Sequence, residues 1–367
     1  MKTQNYVIHA IIQTKTPMHV ADPEAQRYDA ESGRQVFRDG IPLIGTQKLP
    51  LAEPIEYKKV EDGVEEKAFR QDSVPYVGAN NIAGRLRRHA ARLTREALKE
   101  KGETVTLTTY NAMNCGAATG NPDGEMVVFA ELREASDHPF MGLFGGGPRM
   151  MRRRVRTHNM VPIMEKTGFM LEGFRHSDAS DLQYMLHANF KPTKVIIRRR
   201  NDDLKELVDV AEQSSTITDF EAAITDYHRR ILEAQKSGKD EGKSKVDVFS
   251  FSALEYIIPG VNFHTSFELM NVTEAQLGLF LKSLESFAET ERIGGATRNG
   301  FGRIKFIRTE LRAEHGETNE IFDANGKLNT QVRAIEDALA AWSIAAKELT
   351  AERMEYLCRL PKPKKAA

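Results

Sequence analysis

The run VNFHTSFELMNVTEAQLGLFLKSLESFAETERIGGATRNGFGRIKFIRT, residues 261–309, decides the fold, because it reads as strand, helix, glycine-rich loop and strand in unbroken succession. Residues 246–258 read as a further strand that meets the run through a turn at Pro259 and Gly260. Thr273 and Gln276 form a capping box at the helix start. The threonine hydroxyl accepts from a backbone amide of the first turn, and the glutamine side chain reaches back to the cap. Leu277, Phe280, Leu281, Leu284 and Phe287 then recur every three or four residues and make one apolar stripe.

Working outward, residues 6–14 alternate, with Tyr6, Ile8, Ala10 and Ile12 on one face and Val7, His9, Ile11 and Gln13 on the other, which is a strand. Residues 21–72 carry Pro23, Gly33, Gly40, Pro42, Pro50 and Pro54 and read as an irregular loop or inserted lobe. From 81 to 98 the period becomes helical: Ile82, Leu86, Ala90, Leu93 and Ala97 form the packing stripe. Arg85, Arg88, Arg92 and Arg95 form a second stripe turned largely away from it, and Asn80 or Asn81 is placed to cap the helix. Strand-like pieces fall at 126–132, 152–164 and 194–199. Residues 202–235 are helical in character, 237–245 have the composition of a mobile linker, and 329–360 read as one amphipathic helix before a basic tail. Strand, helix, strand, strand, helix, strand is an α+β order, the ferredoxin-like or RRM-like βαββαβ core, here interrupted by insertions. The core is assigned to residues 1–20, 73–112 and 246–310, the lobe to 21–72, a basic strand region to 113–174, a long insertion to 175–245 and a helical extension to 311–367.

Composition narrows the function. Fifty-two basic residues balance fifty-two acidic ones, yet residues 85–95, 138–164, 182–201 and 292–309 each hold five Lys or Arg and no acid. A chain patterned this way can present a basic surface to a polyanion and an acidic one to a copy of itself. No window approaches the roughly 18 consecutive apolar residues of a membrane span, and the N-terminus lacks signal-peptide character, so the cytoplasm is expected. Cys115 and Cys358 form no C-x-x-C pair, and His9, His19, His89, His158 and His264 lack ligand spacing, so no metal or other cofactor is expected.

Gly294, Gly295, Gly300 and Gly302 keep four positions free of a Cβ within nine residues, beside Arg298, Asn299 and Arg303. Such a loop can converge backbone N–H groups on an anion, or simply permit a tight helix-to-strand turn. It is neither a P-loop nor a dinucleotide fingerprint, since Phe301 and Gly302 stand where Lys and Ser/Thr belong and a strand follows. A second glycine cluster, LFGGGP at 143–148, precedes Arg149, Arg152, Arg153 and Arg154, whose planar forks suit phosphates.

The succession VGANNIAGRLRR (77–88), GLFGGG (142–147), IIPGVNFHTSFEL (257–269) and IGGATRNGFGRIKF (293–306) resembles the RAMP superfamily of CRISPR proteins, in particular the backbone subunit that lines guide RNA, and is most similar to the type IV form. Residues 21–72 and 175–245 have no counterpart in this likeness. The resemblance implies an RRM-like palm, a finger lobe within 113–174 and a thumb within 175–245. It implies copies stacked head to tail along a guide RNA (crRNA), other effector subunits as partners, and bases held for pairing with a target DNA or RNA. The family's Ser-Ser-Ile-Lys-Gly helix entrance falls on Asn80, Asn81, Ile82, Ala83 and Gly84, so alanine replaces its lysine, and a downstream arginine falls on Arg87. The family's glycine loop falls on Gly294, Gly295, Arg298, Asn299, Gly300 and Gly302, which with Arg303 the likeness makes RNA contacts, and Arg85, Arg88 and Arg92 join the candidate surface from the helical wheel. No catalytic residue is expected. The alternatives are a metal-dependent ribonuclease acting through Asp22 or Asp29, as the likeness to cleaving relatives would imply, and a stand-alone RNA-binding module.

Overall fold

The computed structural model describes residues 3–22, 37–38, 41–61, 64–116, 129–146, 151–171, 184–201, scattered positions between 215 and 229, 249–314 and 316–358. Strict alternation makes β1 (Gln4–Thr14) a central strand: Ile8, Ala10 and Ile12 are buried on one face, while His9 and Gln13 occupy the other. Ile11 is buried too, because Ile163 and Leu171 cover that part of the second face.

Strands and helices carry numbers in chain order. β1 pairs antiparallel with β10 (Asn262–Val272) and with β11 (Ile304–Ala313), and β10 pairs antiparallel with β6 (Val155–Thr157). The resulting order is β11-β1-β10-β6, with β12 (Thr318–Glu320) added beyond β11 and β7 (Val161–Pro162) beside β10. Helix α1 (Ala79–Glu100) leads from β1 towards β6, and α5 (Glu274–Thr290) joins β10 to β11. An antiparallel sheet with its fourth strand beside the first, and its third between the first and second, is the RRM-like βαββαβ palm.

Apolar burial holds the palm together. Phe263 and Phe267 of β10, Phe280 and Phe287 of α5, and Ile82 and Leu86 of α1 are at most 1 % exposed. Phe267 meets Phe280 edge-on with ring centroids 5.5 Å apart. Each such side chain contributes about 1.5–3 kcal/mol relative to exposure. The Thr273–Gln276 capping box forms as its sequence predicts. Against α5 lies α6 (Arg333–Glu348), so closely that a Cβ on Gly278 would stand 2.1 Å from the Ala338 carbonyl oxygen.

Helices α2 (Leu107–Cys115), α3 (Phe129–Asp137) and α4 (Pro139–Phe144) intervene between α1 and β6. The whole palm falls in one compact unit, Met1–Ala21, Gln47–Lys194 and Ile257–Ala367. The other unit, Asp22–Thr46 and Val195–Tyr256, holds most of a sheet ordered β2-β3-β9-β8, from β2 (Phe37–Arg38), β3 (Ile41–Ile44), β9 (Phe249–Ile257) and β8 (Thr193–Asn201).

Several expectations change. The second palm strand is β6, while the run before Pro259 becomes β9 and pairs parallel with β3 at Leu43 and Ile44. β6 falls within the strand-like piece at 152–164, but its three residues carry a weaker pattern than β9, so the sequence does not place it in the palm. Residues 21–72 are not uniformly irregular. β4 (Lys48–Glu61) and β5 (Val64–Pro75) form a long hairpin whose register shifts between Pro50 and Pro54, the irregularity at which a strand tolerates proline. Phe129–Asp137 is helical where 126–132 reads as a strand, residues 126–128 lying outside those described. The C-terminal helix breaks at buried Leu349, and α7 (Ala351–Cys358) restarts where the Ala351 amide donates to the Glu103 carboxylate. The linker at 237–245 and most of the span assigned to the thumb lie outside the described residues. No described helix is long and apolar enough to cross a membrane.

Candidate nucleic-acid interface

The first two turns of α1 are the point on which three remote stretches of sequence meet. The helix begins one residue before Asn80, with Gly78 as a cap that offers no side chain. Neither asparagine is the cap, which corrects that expectation. Gln47 and Asn159 take over from a distance: their side-chain oxygens, Oε1 and Oδ1, accept from the amides of Gly78 (3.3 Å) and Ala79 (2.8 Å). Both partners are remote in the chain, so no local pattern announces them. Asn80 is exposed, and Asn81 accepts from Arg85 Nε at 2.8 Å.

The arginine stripe divides by role. Arg85 donates to Glu291 and to the Arg292 carbonyl, each at 2.5 Å, and so ties α1 to the base of the glycine loop. Arg92 donates to the Ser286 hydroxyl on α5 and pairs with Glu96. Arg85, His89 and Arg92 thus line the α1–α5 seam, where the helical wheel turns the arginines largely away from packing. His89 bridges Ser286 and Glu291 within it. Burial opposes ionisation of Glu291, but hydrogen bonds from His89 and the Arg292 amide, with the charge of Arg85, hold its carboxyl down at about 2. Arg87 is buried at 8 % exposure and donates to four carbonyls, those of Ala112, Met113, Phe144 and Gly145. These lie at the C-terminal ends of α2 and α4, where a cation complements the helix dipole. Burial lowers its pKa to about 10. Arg87 is thereby withdrawn from any exposed basic surface. Arg88 is exposed, and its guanidinium lies back beside Gly84, 3.6 Å from where a Cβ would stand.

The glycine loop is built differently from an anion cradle. The amides of Gly295, Asn299, Gly300 and Gly302 donate to the carbonyls of His19, Ala296, Thr297 and Pro17 at 2.7–3.1 Å. Gly294 and Gly302 have φ near +90° and +83°, and a Cβ on either would stand 2.2 Å from a backbone oxygen, that of His19 or Ile293. The glycines therefore serve the turn and its close seat on residues 17–19, the second of the two readings open in the sequence. Gly300 also has positive φ but open space around it, and Gly295 meets only ordinary contacts. Exposed Arg298, Asn299 and Arg303 are what the loop presents outward.

Arg152 and Arg153 are exposed, directly before β6. Arg154 is not part of that surface: it donates to the Asn271 carbonyl (2.6 Å), Gln276 Oε1 (2.9 Å) and Ser136 Oγ (2.5 Å), fastening α3 to α5. Arg149 lies outside the described residues. A cavity of about 190 Å³ brings Asn80 and Gly84 of α1 together with Arg153 and Thr157. Asn80 and Arg153 share this cavity, Arg88 lies beside Gly84, and Arg85 links onward to the loop that carries Arg298 and Arg303. No group of three or more His, Cys, Asp or Glu that could hold a metal ion occurs among the described residues, and Asp29 lies outside them.

The chain is thus an RRM-like palm that presents exposed guanidiniums near one helix entrance. Residues 11–305 match the RAMP superfamily model, most of the chain, and the protein belongs to that superfamily. Among solved structures, the chain is similar to one from a structure titled "Type IV-B CRISPR Complex", at 16% identity and a TM-score of 0.42, covering 85% of this chain and 92% of that one. No curated protein matches its sequence.

Proposed function

We propose that this RAMP protein is a CRISPR effector backbone subunit of the type IV kind that assembles along guide RNA, holds the sugar-phosphate chain and presents the bases for pairing with a target. The assignment to type IV follows the sequence motifs. The observation that carries the reading is the meeting of exposed Asn80 and Arg153 at the entrance of α1, one arginine link from the loop bearing Arg298 and Arg303. Guanidinium and amide donors of this kind bind phosphate, and among the described residues no carboxylate lines the cavity that Asn80 and Arg153 share, so the role we propose is scaffolding. Copies of the chain and other effector subunits complete the assembly, since a head-to-tail contact repeats for as long as the RNA continues.

Charge reversal tests this. Arg152→Glu, Arg153→Glu and Arg298→Glu together weaken binding of single-stranded RNA by a similar factor whatever its sequence. They also flatten the salt dependence by about 0.7 in log–log slope for each phosphate that the protein no longer neutralises. Fluorescence anisotropy across a salt series reads both effects. Unchanged affinity and slope would remove these residues from the interface.

A further inference from the structure

Among the described residues, two apolar surfaces of the palm unit stand open to solvent, and they differ in shape. The first is a groove of about 670 Å³ between the C-terminal end of α1 and α2, walled by Leu98, Val105, Leu107 and Tyr110 and bordered by exposed Arg95 and Lys99. Leu107 is 74 % exposed, and the Arg95 guanidinium lies over the Tyr110 ring at 5.8 Å. Glu103, the acid of the lining, accepts from the Ala351 amide. The second is a knob. The 3-10 turn Glu165–Met170 exposes Phe169 (59 %) and Met170 (36 %), with exposed Glu165 at its start. Neither surface is a loose end. Thr167 is fully buried, and its hydroxyl donates to the Pro162 carbonyl at 2.6 Å and accepts from the Met164 amide at 3.0 Å. The Ala188 amide donates to the Glu165 carboxylate at 2.8 Å, and the Thr106 amide at the start of α2 donates to Glu355 on α7 at 2.9 Å. Large apolar side chains held in water on anchored backbone bring no hydrophobic return to the monomer, and their fixed presentation lowers the entropy lost on docking.

The palm sheet separates the two. Leu98 shares the core of Ile8, Ala10 and Ile12 on the helix side of β1, whereas the knob leads into Leu171, which with Ile163 covers Ile11 on the other face. Two such surfaces on opposite faces of one sheet do not meet within a single molecule. We infer that Phe169 and Met170 of one copy seat in the Leu107–Tyr110 groove of a second copy, with Glu165 set towards Arg95 and Lys99. A second copy is the occupant because it supplies an apolar projection for an apolar recess, and a carboxylate for two cations, in equal number. The contact is heterologous: every pair keeps one open knob and one open groove, so the arrangement extends instead of closing. The inference rests on the RNA-backbone reading above and adds to it the surfaces through which neighbouring copies meet.

Cooperativity on RNA reads the contact. The probe is oligouridylate in two lengths, one that takes a single wild-type copy and the shortest that takes two. Fluorescence anisotropy gives affinity and sedimentation velocity gives stoichiometry, both on the full-length protein. Phe169→Glu and Leu107→Glu each change an exposed side chain outside the RNA surface. Both should bind the short strand as the wild type does. On the long strand each should lose at least about tenfold in apparent affinity for the second copy, as truncation of an interface anchor does. An equimolar mixture of the two should regain a cooperative pair, because one variant keeps its groove and the other its knob. Met170→Glu and Tyr110→Glu provide the same comparison should either variant fail to fold. Independent binding of two wild-type copies, variants with wild-type cooperativity, or a mixture that regains none would overturn this contact while leaving RNA binding intact. Wild-type protein that binds neither strand would overturn the parent reading and this inference together.

Discussion

A guanidinium taken out of water has to find acceptors, and Arg87 finds four carbonyls at the ends of α2 and α4, whereas its neighbour Arg88 stays exposed beside Gly84. Removing the first leaves buried carbonyls unmet and opens a gap. Arg87→Ala should therefore destabilise the protein by about 3 kcal/mol or more, and Arg87→Lys should recover only part, because an ammonium cannot reproduce the fork. Arg88→Ala should alter stability by less than about 0.5 kcal/mol and lower RNA affinity instead. Urea denaturation beside RNA titration separates the two, and a stable Arg87→Ala variant would show that the four carbonyls need no partner. Both residues are candidates from the sequence, where a run of arginines on one helix cannot reveal which will be covered. The covering segments, α2 and α4, begin some 20 and 52 residues further on, at Leu107 and Pro139. Arg154 shows the same limit, since its acceptors on Ser136 and Gln276 are assembled only by tertiary packing.

Among the elements, the α5 helix is legible to its capping box because the signal is local: Thr273, Gln276 and a stripe of five apolar residues lie within 15 positions. The glycine loop is legible as a turn but not as a seat on residues 17–19, for the carbonyls that take its amides come from the far end of the chain. What steadies its base is the Arg85–Glu291–His89 network. The Glu291 carboxyl titrates near 2 in the fold against an ordinary 4.5, so its ionised form favours the folded state. That contribution is complete above about pH 4.5 and is lost as pH falls towards 2. Glu291→Gln should cost roughly 1–3 kcal/mol at pH 7, and the deficit against wild type should shrink through that acid window. A deficit independent of pH between 5 and 2 would mean that the ionised carboxylate is not what holds the loop.

At the scale of the molecule, the βαββαβ palm can be read from periodicity, yet the place of one strand, within the strand-like piece at 152–164, cannot. β6 spans three residues and takes its place through pairing with β10, while the stronger β9 pattern belongs to another sheet. The gathering of arginines follows the same logic: acid-free stretches mark which segments are basic, and the packing of α1 decides which of them meet. Assembly along RNA is the claim on which the functional reading turns. Sedimentation-velocity mass of the protein saturated onto single-stranded RNAs of increasing length measures it directly. The number of bound copies should rise linearly with RNA length, and the Arg152→Glu, Arg153→Glu, Arg298→Glu protein should abolish the series. A single copy on every RNA, whatever its length, would refute assembly along the strand.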